Sequence, residues 1–368
     1  MAQSRLHQLS GLGQSVWIDY LSRDLLRTGK LERMLEEDAV AGVTSNPTIF
    51  QKAISAGDAY DEQLRRELQE ERDPKELFLR LAAQDVGDAC DLLRRVWDAG
   101  GGQDGYVSIE VDPGLAHDTE ATIAEAQRLH DLLDRPNLFV KIPATEAGLP
   151  AIEEMISRGK SINVTLIFAL DRYTRVAEAY IRGLERLVDA GGDPSTVASV
   201  ASFFVSRVDT EADRRLDEAG APDELNGKLA VANAKLAYGR YREIFAGERW
   251  ERLAAAGAAP QRCLWASTST KNPDYRDVLY VEELIGPETV NTMPEETIEA
   301  FQDHGRVALT LEQGLDEARR VFERVAEAGV DYDDVTATLE REGVEKFADS
   351  FEELLAGIRE KAGELVPA

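Results

Sequence analysis

A lysine stands alone in an otherwise apolar run, Leu138-Phe139-Val140-Lys141-Ile142-Pro143. Period-2 alternation puts Val140 and Ile142 on one face and Phe139 and Lys141 on the other, so the ammonium points where a sheet or barrel interior normally holds an aliphatic group. Burying an unpaired ammonium costs several kcal/mol or drives off its proton. A lysine so placed is a candidate amine nucleophile that attacks a carbonyl to form a Schiff base. A structural ion pair with a carboxylate is the competing use of such a residue.

Other runs repeat the anomaly. In Val16-Trp17-Ile18-Asp19 the acid shares a face with Trp17, and in Val107-Ser108-Ile109-Glu110-Val111-Asp112 the polar face carries Ser108, Glu110 and Asp112. Ile162-Asn163-Val164-Thr165-Leu166 places Asn163 and Thr165 together. One polar inward face is an accident of register; four in one chain predict a polar site. In Thr44-Ser45-Asn46-Pro47 the proline holds Asn46 extended and stops the strand, which fixes an amide at the strand end. The same residues also read as a turn and helix cap. An amine, carboxylates, amides and hydroxyls are the equipment for carbonyl chemistry through an imine: Lys141 attacks, a carboxylate moves protons, and amides hold substrate hydroxyls. Four histidines, His7, His117, His130 and His304, form neither a metal-ligand pair nor a Ser-His motif.

These residues sit on strands that alternate with amphipathic helices, the pattern of a parallel α/β fold. Strands are expected at Val16–Tyr20, Ala41–Asn46, Val107–Asp112, Leu138–Pro143, Ser161–Phe168, Val197–Val205, Arg262–Ser267 and Thr289–Met293. Helical patterns include Leu21–Glu37, Pro74–Ala99, Asp118–Leu133, Leu149–Ser157, Leu170–Ala190 and Asp223–Phe245. Eight such units predict a (β/α)8 TIM barrel, with a doubly wound open sheet as the alternative. Parallel strands bring the polar residues near their C-terminal ends to one mouth. The expected organisation is a single domain over 1–368, in which 306–368 is an acidic helical extension packed on the barrel.

The net charge of −27 argues against binding nucleic acid or an anionic membrane, both of which need a positive field. An anionic ligand must therefore be met by a few local cations. Two cysteines, Cys90 and Cys263, are too few and too far apart for a disulfide framework, and Met1–Gln14 lacks the apolar stretch of a secretory leader. A cytoplasmic location is expected.

Taken in order along the chain, Val16–Asp19, Val43–Pro47, Val107–Asp112, Val140–Thr145, Ile162–Leu166 and Ser202–Arg207 resemble the transaldolases, and the long form with its acidic C-terminus is similar to the actinobacterial type. The resemblance implies transfer of a dihydroxyacetone unit from fructose 6-phosphate or sedoheptulose 7-phosphate to an aldose phosphate, with no cofactor and no metal. It implies Lys141 as the Schiff-base lysine, Glu110 as the acid/base acting through a water that Thr165 orients, and Asp19 as the carboxylate that handles the hydroxyl proton when the carbon-carbon bond breaks. Asn46 and Asn163 would hold the dihydroxyacetone hydroxyls, Ser202 and Phe204 would line the pocket, and Arg207 would bind phosphate. Strand seven departs from the family pattern: after Ser267, where an arginine is usual, comes Thr268-Ser269-Thr270-Lys271. Lys271 then replaces the guanidinium with a point charge. The implied partners are sugar phosphates, with neither nucleic acid nor membrane, and a homodimer is compatible. A fructose 6-phosphate or deoxyribose phosphate aldolase, which releases the fragment, is the runner-up; a sugar-phosphate binder without catalysis is the alternative of another class.

Overall fold

The computed structural model describes residues 4–55 and 57–365; the outermost parts of the expected 1–368 span, 1–3 and 366–368, lie outside the described residues. Eight parallel strands form a closed barrel in chain order: β1 Gln14–Ile18, β2 Val40–Val43, β3 Val107–Glu110, β4 Leu138–Pro143, β5 Ile162–Ile167, β6 Ser199–Phe204, β7 Arg262–Ala266 and β8 Thr289–Met293. Closure is made by β1 against β8, from Gln14 opposite Thr289 to Ile18 opposite Met293, which excludes the open sheet.

Two expected strands, Leu138–Pro143 and Thr289–Met293, coincide with the observed ones. Two others stop short because their last residues turn to capping. Asp112 leaves β3 to accept a hydrogen bond from the Gly114 amide at 2.8 Å, and Asn46 leaves β2 to cap the helix Pro47–Ser55. The helix expected over Leu21–Glu37 divides into Arg23–Arg27 and Lys30–Glu37, because Gly29 takes a left-handed conformation at φ 67°.

The lower barrel is filled by aromatic rings. Tyr106 stacks on Phe139 at 4.1 Å, and Trp17 stands 6.1 Å from Phe139. Gly42 on β2 makes room for them, since a Cβ there would lie 2.4 Å from the Trp17 ring. Beneath, Asp104 accepts from Ser15 Oγ at 2.6 Å, Trp17 Nε1 at 2.9 Å and Arg262 Nη2 at 3.1 Å.

At the opposite end the helix Tyr332–Leu365, about 50 Å long at 1.5 Å per residue, lies across the barrel mouth. Arg215, in the helix after β6, pairs with Asp334 at 2.5 Å, and Arg172, after β5, pairs with Glu340 at 3.2 Å. Further along, Phe351 meets Phe78 edge-on at 5.6 Å, and Thr48 donates to Ser350 at 2.8 Å on the β2 side. Gly343 allows this close crossing: a Cβ there would stand 3.1 Å from Leu166.

Candidate active site

Strand register aligns the reactive groups. Glu110 on β3 is opposite Lys141 on β4, and Lys141 is opposite Asn163 on β5. Lys141 is only 5% exposed. Its Nζ donates to the Ser45 carbonyl at 3.1 Å and lies 3.4 Å from Glu110 Oε2. That contact is an ion pair too long for a good hydrogen bond, and Glu110 Oε2 is buried with no other partner. Burial pushes the Glu110 pKa up; the Lys141 charge opposes the rise and the Asp19 charge adds to it. Thr165 Oγ1, on the neighbouring strand, is likewise buried without a hydrogen bond. Leu166 beside it is held at φ 59°, where β5 slips register against β6. Left-handed backbone at a branched, non-glycine residue is strained and clusters at functional sites.

Asn163 is locked from both sides. Its Nδ2 donates to Ser108 Oγ at 3.1 Å and its Oδ1 accepts from Ser202 Oγ at 2.7 Å, so the buried Ser202 hydroxyl is committed to orienting the amide. In Asn46 the two alternatives read from the sequence coincide: Oδ1 caps the helix by accepting from Ile49 N at 3.0 Å, and Nδ2 has no partner among the described residues. Asp19, just past β1, accepts from Thr44 Oγ1 at 2.7 Å. Burial raises its pKa, while Lys141, Thr44, Arg207 and Lys271 oppose the rise. Asp112, expected on the same inward face as Glu110, is not brought to the site, because Lys75 Nζ holds it at 2.8 Å outside the strand end.

The cations lie on the rim. Arg207, in the first turn of the helix Ser206–Glu218, packs its guanidinium 5.1 Å from the Phe204 ring centroid and makes no hydrogen bond among the described residues. Burial holds its pKa below the ordinary arginine value. Phe204 itself packs on Phe168 at 5.3 Å. Ser267 sits at φ 56° with its Oγ 2.9 Å from Ser206 Oγ. Lys271 donates to Ser269 Oγ at 2.6 Å and is exposed along its length, yet partial burial of the amine and the nearby Arg207 charge lower its pKa.

A sequence model of the family described as transaldolase/fructose-6-phosphate aldolase matches residues 16–358. The chain is 56% identical over 361 residues to a transaldolase of Frankia alni, covering 97% of each protein. It is 55% identical to a transaldolase of Acidothermus cellulolyticus, covering 96% of this chain and 95% of the relative, and 52% identical to one of Mycolicibacterium paratuberculosis, covering 97% of each. The chain belongs to the transaldolase/fructose-6-phosphate aldolase family.

Within this transaldolase-family barrel, two residues join the site that the strand pattern did not reveal. Lys52, on the helix that Asn46 caps, is close enough for its charge to act on Lys271. Phe347, on the helix across the mouth, centres its ring 5.8 Å from Lys141 Nζ and 6.0 Å from Arg207. Its sequence signal was only an apolar position in a helical pattern, which tells that a face is buried but not against what. On the β8–β1 side a cleft of about 360 Å³ opens at Asp19, bounded by Tyr20, Asp24, Lys30, Pro294 and Glu296. A larger cleft of about 1010 Å³ lies at the strands' N-terminal ends, around Gln14, Leu138 and Arg262, away from the amine and its carboxylate. Among the described residues no His, Cys, Asp or Glu cluster could hold a metal ion, and no helix is long and apolar enough to cross a membrane.

Proposed function

We propose that this chain is a transaldolase acting in the non-oxidative pentose phosphate pathway: it moves a dihydroxyacetone unit from sedoheptulose 7-phosphate or fructose 6-phosphate to glyceraldehyde 3-phosphate or erythrose 4-phosphate. The observation that carries the reading is the buried pair of Lys141 and Glu110, 3.4 Å apart with the Glu110 oxygen otherwise unpartnered. Family membership and relatives named transaldolase support it.

In this mechanism Lys141 passes a proton to Glu110, 3.4 Å away, and its amine attacks the ketose carbonyl. Glu110, its pKa raised by burial, passes protons through a water held against Thr165, which gives the two unpartnered oxygens a common task as the carbinolamine loses its hydroxyl. Asp19 takes the proton from the substrate hydroxyl as the carbon-carbon bond breaks, and the electrons of that bond pass into the imine to give an enamine. Asn163, fixed by Ser108 and Ser202, and the free Nδ2 of Asn46 hold the fragment's hydroxyls. Arg207, whose donors are unmatched among the described residues, binds phosphate bidentately with Ser267 and Lys271 beside it, while Phe204 supports the guanidinium. A second aldehyde then accepts the enamine carbon, and hydrolysis frees the amine. The two cysteines, free and buried, fit a reducing cytoplasm.

Borohydride reduction in the presence of fructose 6-phosphate tests the reading. A three-carbon adduct on Lys141, absent from a Lys141→Ala protein that is also inactive, is expected. Labelling of another lysine overturns the assignment, and release of dihydroxyacetone at the same rate with and without erythrose 4-phosphate favours the aldolase.

A further inference from the structure

Among the described residues Phe347 is the one aromatic ring that approaches both Lys141 and Arg207, at 5.8 and 6.0 Å, and it arrives from outside the eight βα units. It is 5% exposed. Its placement is held from both directions. One turn before it, Gly343 seats the helix against the strained Leu166, and one turn after it Phe351 and Ser350 lock onto Phe78 and Thr48. The helix therefore spans the mouth from the β5–β6 side to the β2–β3 side, with the Phe347 ring at mid-span above the amine. The cleft that reaches Asp19 opens on the remaining β8–β1 side.

Resting on the transaldolase reading, we propose that Phe347 sets the choice between transfer and release by keeping bulk water from the fragment on Lys141. After cleavage the three-carbon unit is an enamine on the Lys141 nitrogen. Release requires a proton on the enamine carbon to form the iminium ion, then one water added to the iminium carbon; the carbon-nitrogen bond breaks, giving dihydroxyacetone and the free amine. Transfer instead forms a carbon-carbon bond to an aldehyde. The two routes compete for one intermediate, and only release consumes water before the acceptor arrives. An apolar ring over the amine lowers water access on the covered side, while the aldehyde enters by the open cleft at Asp19. Phe347 is thus a specificity-determining residue.

The test uses the full chain with fructose 6-phosphate as donor. Free dihydroxyacetone is measured with and without saturating erythrose 4-phosphate, and borohydride trapping and thermal melting are followed in parallel. Phe347→Ala should raise the ratio of release to transfer by about tenfold and still give the Lys141 adduct. Phe347→Leu, which keeps an apolar cover, should fall between the two. A folded Phe347→Ala protein with an unchanged ratio overturns the inference; if that variant does not fold, an unchanged ratio in Phe347→Leu overturns it instead. Loss of packing alone would lower the melting temperature and leave the ratio where it was. Absence of a Lys141 adduct in the wild-type protein sinks the underlying reading, a result separate from an adduct present with equal ratios.

Discussion

At the N-terminal end of the barrel Asp104 accepts hydrogen bonds from Ser15, Trp17 and Arg262, whereas at the C-terminal end Glu110 Oε2 and Thr165 Oγ1 are buried with none. The same eight strands feed both ends. At the floor, Asp104 is matched by three donors and the space between strands is filled by stacked rings, while the amide oxygens of Gln14, Asn137 and Gln261 are buried without a hydrogen bond. At the mouth burial raises the pKa of Asp19 and Glu110, and Arg207 has no hydrogen bond among the described residues. An unsatisfied buried polar group costs roughly 1 to 3 kcal/mol, a cost that both ends carry. The contrast is one of kind: neutral amide oxygens go unmatched at the floor, whereas at the mouth the unmatched group is an ionisable carboxyl facing an amine.

Substitutions at the two ends should therefore separate activity from stability. The largest effect is expected from Glu110→Gln, which keeps the shape and removes the carboxyl proposed to carry the proton: turnover should fall about 10²- to 10⁴-fold while the melting temperature holds or rises. Activity within about twofold of wild type would break the contrast.

Next comes a rim carboxyl that is buried yet fully hydrogen-bonded. Asp209 accepts from Ala230 N at 2.7 Å and from Tyr280 OH at 2.9 Å, and burial, with Asp213 adding, lifts its pKa from 3.8 to about 7. Between these values the folded protein holds a proton that the unfolded chain has lost. The stability from this group is therefore complete below pH 3.8 and is lost as pH rises through about 7. Asp209→Asn should flatten that decline, by at most about 4 kcal/mol. Urea unfolding of both proteins across this window reads the difference, and a gap that does not vary with pH would show that Asp209 does not titrate there.

At the floor, Asp104→Ala should cost about 2 kcal/mol of stability by stranding Trp17 Nε1 and its fellow donors, while kcat of the folded protein stays as it was. A loss of kcat without a loss of stability would reverse the roles of the two ends. The smallest effect falls on the rim loop. Lys271→Ala should raise KM for fructose 6-phosphate by about tenfold, less than Arg207→Ala, and leave activity on unphosphorylated dihydroxyacetone alone. An unchanged KM would return the second phosphate contact to Ser267, Ser269 or backbone amides.

The mouth was more legible in the sequence than the floor. A lysine, an acid or an amide on the face opposite a run of Val and Ile violates the expected pattern, and the violation points inward; this located Lys141, Glu110 and Asn163 together with their strands. Asp104 broke no such pattern, because it lies in a glycine-rich loop where an acid is ordinary. The alternation overreached at Asp112, where the strand had ended and a cap took the side chain. Phe347 stayed hidden for a third reason: helical periodicity marks the buried face, but the crossing of that helix over the mouth is a long-range packing outcome that no local spacing encodes.

That crossing also orders events in the making of the molecule. Synthesis proceeds from the N-terminus, and domains tend to fold as their sequence emerges, so all eight strands leave the ribosome before the helix Tyr332–Leu365. The helix that covers Lys141 is thus the last part of the described chain to be made. A premature stop after β8 would keep the sequence of all eight strands and lose the ring that stands over Lys141.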